Sequence, residues 1–128
     1  MNYEGWDQDY LENKELYLNL FDEAVQTNNE KNVEFLEKKI SKYVGRKHGI
    51  AINSATDALY YSLKSYGIGL TDEVLVSDFS WISSASCIVM AGATPVFCDI
   101  DLDSYHMSFE EIKKKTTNKT KAIIYTHL

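Results

Sequence analysis

A chain of 128 residues, 45% apolar and 25% charged, is long enough to bury one domain core and has the makeup of an ordinary soluble globular protein. Its formal net charge of −6 argues against a nucleic-acid surface, which needs a basic patch. Apolar runs stop at about five residues, as from Cys87 to Ala91, so no segment is expected to span a membrane, and the acidic start, Met1 to Glu12, lacks the layout of a signal peptide.

In chain order, Tyr17, Leu20, Phe21, Ala24 and Val25 recur at helical spacing, and a polar break from Thr27 to Lys31 ends that helix. Val33, Leu36, Ile40, Tyr43 and Val44 form a second stripe, closed by Gly45 as a C-terminal cap. The run Gly49 to Ile52 reads as a strand, followed by a helix from Thr56 to Tyr66 that Gly67 stops. Glu73 to Ser77 is a strand with Val74, Leu75 and Val76 at its centre; Ile82 to Ala91 is a helix ended by Gly92. Thr94 to Asp99 is a further strand, with Pro95 tolerated near its start. Ser108 and Glu111 match a capping box, placing a helix from there to about Lys115, and Lys121 to Thr126 is the last strand. No internal repeat or low-complexity tract interrupts this order.

The strands are apolar on consecutive residues, the pattern of strands buried on both faces. The expected fold is therefore α/β in three layers, a mainly parallel sheet with helices on both sides, and a ligand belongs beyond the carboxyl ends of the strands. The sequence stops at Leu128 directly after a strand, so it reads as a piece of a longer protein. Cys87 and Cys98 fall in apolar elements and read as reduced core residues of a cytosolic protein. Neither has a metal-type partner at short spacing, and His48, His106 and His127 are scattered, so no metal site is expected.

Two clusters point to a ligand. Asn53-Ser54-Ala55-Thr56-Asp57 turns from the first expected strand into a helix through small and hydroxyl residues, leaving free N–H groups at the positive end of the helix dipole, a setting that suits a phosphate. Asp78-Phe79-Ser80-Trp81 follows the next strand, where a flat ring could stack on a ligand. Grip and plate together suit a phosphorylated aromatic cofactor. Each residue also has a plain reading: Ser54 as a helix cap, Trp81 as a core ring, Asp57 as a charge welcomed by the dipole. Asp99, Asp101 and Asp103 read better as a strand end and an Asp-rich turn than as an acid site, His127 as structural, and Lys113 to Lys115 as a solvated helix end. Lys121 starts a strand, at the wrong end of the sheet for chemistry.

The ordered set Phe35-Leu36-Glu37, Tyr43-Val44-Gly45-Arg46-Lys47-His48, Asn53 to Leu59, Tyr66-Gly67-Ile68-Gly69, Asp72-Glu73-Val74, Phe79-Ser80-Trp81-Ile82, Gly92 to Phe97, Asp99-Ile100-Asp101, Thr120 to Ile124 and His127-Leu128 resembles the start of the DegT/DnrJ/StrS family of sugar aminotransferases, fold-type-I enzymes that use pyridoxal 5'-phosphate. The resemblance runs from about Val33 to the end. It implies an N-terminal helical segment over 1–31 and the N-terminal part of the cofactor-binding large domain over 32–128. It gives Ser54, Ala55 and Thr56 to the cofactor phosphate and Trp81 to the pyridine ring. It further implies a nucleotide-linked keto-sugar as acceptor, glutamate as amino donor, a cytoplasmic homodimer, and no nucleic-acid or membrane partner. The family commonly has glycine where Ala55 and Thr71 stand and threonine where Ser80 stands. Its Schiff-base lysine and the aspartate that pairs with the pyridine nitrogen lie downstream of the region matching Leu128. No catalytic residue is therefore expected here, and the chain alone should be inactive. The alternative is a non-catalytic truncated or split fragment of the same fold. A phospho-acceptor domain would need an acidic pair where Asn53 and Ser54 stand, and a nicotinamide-nucleotide domain would need G-x-G-x-x-G after a strand.

Overall fold

The computed structural model describes residues 4–26 and 30–127. The chain forms two compact units, Met1–Ala51 and Ile52–Leu128. In the first, α1 (Glu4–Gln26) and α2 (Glu30–Tyr43) carry the two expected stripes. Residues 27–29 of the expected polar break lie outside the described residues, while Glu30 and Lys31 already belong to α2. Both stripes stay largely open: Leu20, Phe21 and Val25 of α1 and Leu36 and Ile40 of α2 are exposed. Gly45 ends α2 at φ 67°, with its N–H on Lys42 O and the Arg46 N–H on Ser41 O, the double bond of a left-handed glycine cap.

The expected strand from Gly49 to Ile52 does not form; these residues pair with no strand. A strand exists only through a ladder, and among the described residues none forms here: the Ala51 N–H donates instead to Glu37 Oε1 at 2.7 Å, and Ile50 is exposed. Gly49 lies so close to α2 that a Cβ would fall 2.7 Å from Glu37 O, so the close approach itself excludes a side chain.

The second unit is an α/β layer structure. Its elements are α3 (Ala55–Ser65), β1 (Glu73–Ser77), α4 (Ser83–Ala91), β2 (Thr94–Cys98), α5 (Phe109–Lys115) and β3 (Thr120–Ile124). The sheet has the order β2-β1-β3 and is parallel throughout, with Leu75 opposite Val96 on one side and Ile123 on the other. Val74, Leu75 and Val76 are fully buried, as expected of a central strand covered on both faces. Val74 and Val76 point into a core built with Leu63 of α3 and Cys87 and Ile88 of α4. Leu75 points the other way, onto Cys98 and Met107, with Ile112 of α5 closing that layer. Burial of each such side chain contributes roughly 1.5–3 kcal/mol.

Helices α3 and α4 both end on left-handed glycines, Gly67 and Gly92, with the same paired bonds as Gly45. Thr71, in the link from α3 to β1, has φ 77° without being glycine. This is the position where glycine is usual in the resembling family, and the conformation is the one glycine adopts most readily. The capping box expected at Ser108 is not made. Ser108 is the N-cap residue but forms no side-chain cap bond. Its backbone N–H, the other donor of a capping box, is taken by Asp99 O, and the Glu111 carboxylate turns to Lys114 and Lys115 at 2.8 and 2.9 Å. Among the described residues, no helix is long and apolar enough to cross a membrane.

Candidate functional site

Ser54 enters α3 in extended backbone (φ −148°, ψ 151°). Its hydroxyl accepts from the Asp57 N–H at 3.1 Å and donates to Asp57 Oδ2 at 2.9 Å, so the cap and the first-turn carboxylate lock each other. Ser54 thus holds the turn, and its proton is committed to Asp57. The N–H groups of Ala55 and Thr56 meet no acceptor among the described residues. Ala55 is exposed and Thr56 half-buried, so these two amides face solvent at the positive end of an eleven-residue helix. The turn follows an unpaired segment rather than the strand expected before it.

The second cluster does follow a strand. After β1, the Asp78 N–H donates to Cys98 O at 3.1 Å, tying the ends of β1 and β2 together. The Ser77 hydroxyl accepts from the Phe79 N–H (3.3 Å) and donates to Phe79 O (3.2 Å), and the Ser80 hydroxyl donates to Ser77 O (3.3 Å). Trp81 closes this clamp, its carbonyl accepting from the Ser84 N–H in the first turn of α4. Trp81 is 77% exposed, outside the core that the described residues build.

The two clusters lie toward the same end of the sheet. Lys64 Nζ, at the end of α3, donates to Ala91 O, at the end of α4, at 3.4 Å. The helices therefore finish side by side, and at about 1.5 Å per residue their starts lie at similar heights beyond the carboxyl end of β1.

The loop after β2 joins this rim. Asp101 Oδ1 accepts from the N–H groups of Asp103 (3.2 Å) and Ser104 (2.9 Å), which makes the Asp-rich segment the turn expected of it; the Ser104 N–H holds the Asp101 carboxyl below its usual range. Tyr105 follows at φ 57°, with its ring 6.0 Å from that of Phe79. His106 reaches the rings of Tyr125 and His127, beyond β3, at 5.9 Å each. Sequence reasoning missed the contact of Tyr105 with Phe79, which joins residues far apart in the chain. Lys113 to Lys115 close α5 as expected, Lys114 and Lys115 bound to Glu111, and Lys121 sits at the opposite end of the sheet from Trp81. Burial pushes the Cys87 and Cys98 thiols up, as suits core residues without a nucleophilic role. A separate cavity of about 670 Å³ lies between α3 and β3, lined by Leu59, Leu63, Ile68, Ala122 and Ile124; it includes none of Ser54, Ala55, Thr56 or Trp81.

The profile of the DegT/DnrJ/EryC1/StrS aminotransferase family matches residues 10–128. The chain belongs to this family. Its members are pyridoxal phosphate-dependent enzymes. Over 95 residues the chain is 41% identical to the spore coat polysaccharide biosynthesis protein SpsC of Bacillus subtilis (strain 168), covering 74% of this chain and 24% of that protein. It is 32% identical over 117 residues to GDP-perosamine synthase of Vibrio cholerae, covering 91% and 32%. Among solved structures, DesV of S. venezuelae, crystallised with a ketimine intermediate, superposes with a TM-score of 0.88 at 26% identity, covering 95% of this chain and 34% of that one. The chain thus spans about a quarter to about a third of the length of these family members.

Proposed function

We propose that the whole protein is a sugar aminotransferase that moves an amino group from glutamate to a nucleotide-linked keto-sugar, and that residues 32–128 contribute the phosphate grip and ring plate of its large domain, with 1–31 as a helical lead. The observation that carries this reading is the pairing, toward one end of the sheet, of two unpartnered amides at Ala55 and Thr56 with the exposed indole of Trp81. When bound, pyridoxal phosphate supplies an electron-withdrawing ring that stabilises negative charge at the carbon losing its proton. In this reading the Ala55 and Thr56 N–H groups donate to the phosphate, and the Thr56 hydroxyl adds a further bond. Ser54 keeps the amides aimed through its lock with Asp57. Trp81 would stack on the pyridine ring and shield one face of it from water.

The residues fit the cofactor because neither the amides nor the indole is used by the core. None of these groups is a general acid or base; the family resemblance puts the Schiff-base lysine and the aspartate downstream of the region matching Leu128, and on that reading the 128-residue chain by itself would transfer no amino group. A nucleotide-linked acceptor is supported by the likeness to GDP-perosamine synthase. The homodimer and cytoplasmic setting rest on the family resemblance, and two buried free thiols agree with a reducing compartment.

The test is cofactor retention by the full-length protein, read from visible-edge absorbance after gel filtration. Trp81→Ala should release pyridoxal phosphate more readily than the parent; equal retention would remove Trp81 from the site.

A further inference from the structure

We infer that Tyr105 is a positioning residue: from the loop after β2 its ring braces Phe79, and through Phe79 it sets the stance of the turn that presents Trp81. This deepens the cofactor-site reading above and rests on it only for the meaning of Trp81, not for the mechanics.

The loop is held at both ends. Ile100 and Met107 form an antiparallel bridge, Met107 is buried beneath the sheet, and the Ser108 N–H donates to Asp99 O at 3.0 Å. Within it the Tyr105 N–H donates to Asp101 O (2.8 Å) and the Asp101 N–H to His106 O (2.9 Å). These bonds over-determine the backbone at the tip, where Tyr105 is held at φ 57°. A bulky residue in that region is unusual, since glycine or asparagine would fit it with less strain. What tyrosine adds is a ring, and the contact that ring makes is with Phe79, at 6.0 Å and 42°. Phe79 is itself clamped by the Ser77 hydroxyl, and Trp81 is two residues further on, with little of its own surface packed against the protein. The stance of so exposed an indole is set by its backbone, and the Phe79–Tyr105 pair is the contact that ties that backbone to a second loop.

In the full-length protein, replacing Trp6 and every other tryptophan but Trp81 by phenylalanine leaves Trp81 as the sole reporter. Tyr105→Gly in that background deletes the ring while relaxing the left-handed backbone. The expected result is lower fluorescence anisotropy and faster acrylamide quenching of Trp81, with no fall in the thermal midpoint; a merely structural role would move stability instead. Tyr105→Phe should restore the parent values. Phe79→Leu should loosen Trp81 in the same way and add little to Tyr105→Gly. In the full-length protein, Tyr105→Gly should weaken pyridoxal phosphate retention about two- to ten-fold, the range of an aromatic pair. The inference is overturned if Tyr105→Gly and Phe79→Leu both leave Trp81 as ordered as in the parent. If Trp81 does loosen but the parent protein retains no cofactor, the brace stands and the cofactor reading fails.

Discussion

At the start of α3 the helix is capped from within: Ser54 and Asp57 bond each other, and the amides between them are left to solvent. At the start of α4 no side chain caps the helix. Order there comes from what precedes and flanks the helix: the buried strand β1, the Ser77 and Ser80 hydroxyls before α4, and the ring of Tyr105 from the neighbouring loop. A turn stabilised by its own residues can offer donors to an anion. A turn stabilised by its surroundings can leave a large ring nearly bare without losing its orientation. The division suits a ligand that is charged at one end and flat at the other.

This contrast can be broken or sharpened by substitution. The largest effect is expected from Leu75→Ala, at the buried centre of β1. It should cost about 2–5 kcal/mol in urea unfolding and loosen Trp81, because the second turn depends on that strand. Ser54→Ala should cost about 0.5–2 kcal/mol yet leave the fluorescence of folded Trp81 unchanged, because the first turn stands on its own cap. A change in Trp81 would show that the two turns are coupled. Thr71→Gly, in the link between them, should raise stability by up to about 1 kcal/mol in thermal unfolding by relieving the left-handed backbone at φ 77°. The smallest effect belongs to Glu111, on α5 and outside both turns. Hydrogen bonds from Lys114, then Lys115, lower its carboxyl from 4.5 to about 2. Its folded-state value lies below the unfolded one, so its contribution to stability is complete above pH 4.5 and lost as pH falls toward 2. Glu111→Gln should flatten that part of the acid-stability curve, with the region above pH 5 as control.

Much of the second unit was legible because its signals are local. Val74-Leu75-Val76 between polar neighbours marks a two-sided strand, and the glycines at 67 and 92 mark helix ends, each through residues adjacent in sequence. Gly49 to Ile52 has the same apolar look but no ladder partner, and the presence of a partner is not written in a four-residue window. Ser108 and Glu111 have the capping-box spacing, yet the Ser108 N–H is taken by Asp99 O and the carboxylate turns to Lys114 and Lys115. At the site, the small-residue turn and the position of Trp81 could be read directly. The lock between Ser54 and Asp57 and the brace from Tyr105 could not, since both depend on where side chains meet after folding.

The strand order has a consequence for how the sheet is assembled on the ribosome. Among the described residues β1 is the first strand in sequence and also the middle one of the three, so β2 and later β3 can each dock onto an edge of β1 that already exists. Growth outward from a finished template means that neither β2 nor β3 must be inserted between the other two, and these three strands can be laid down in the order of translation.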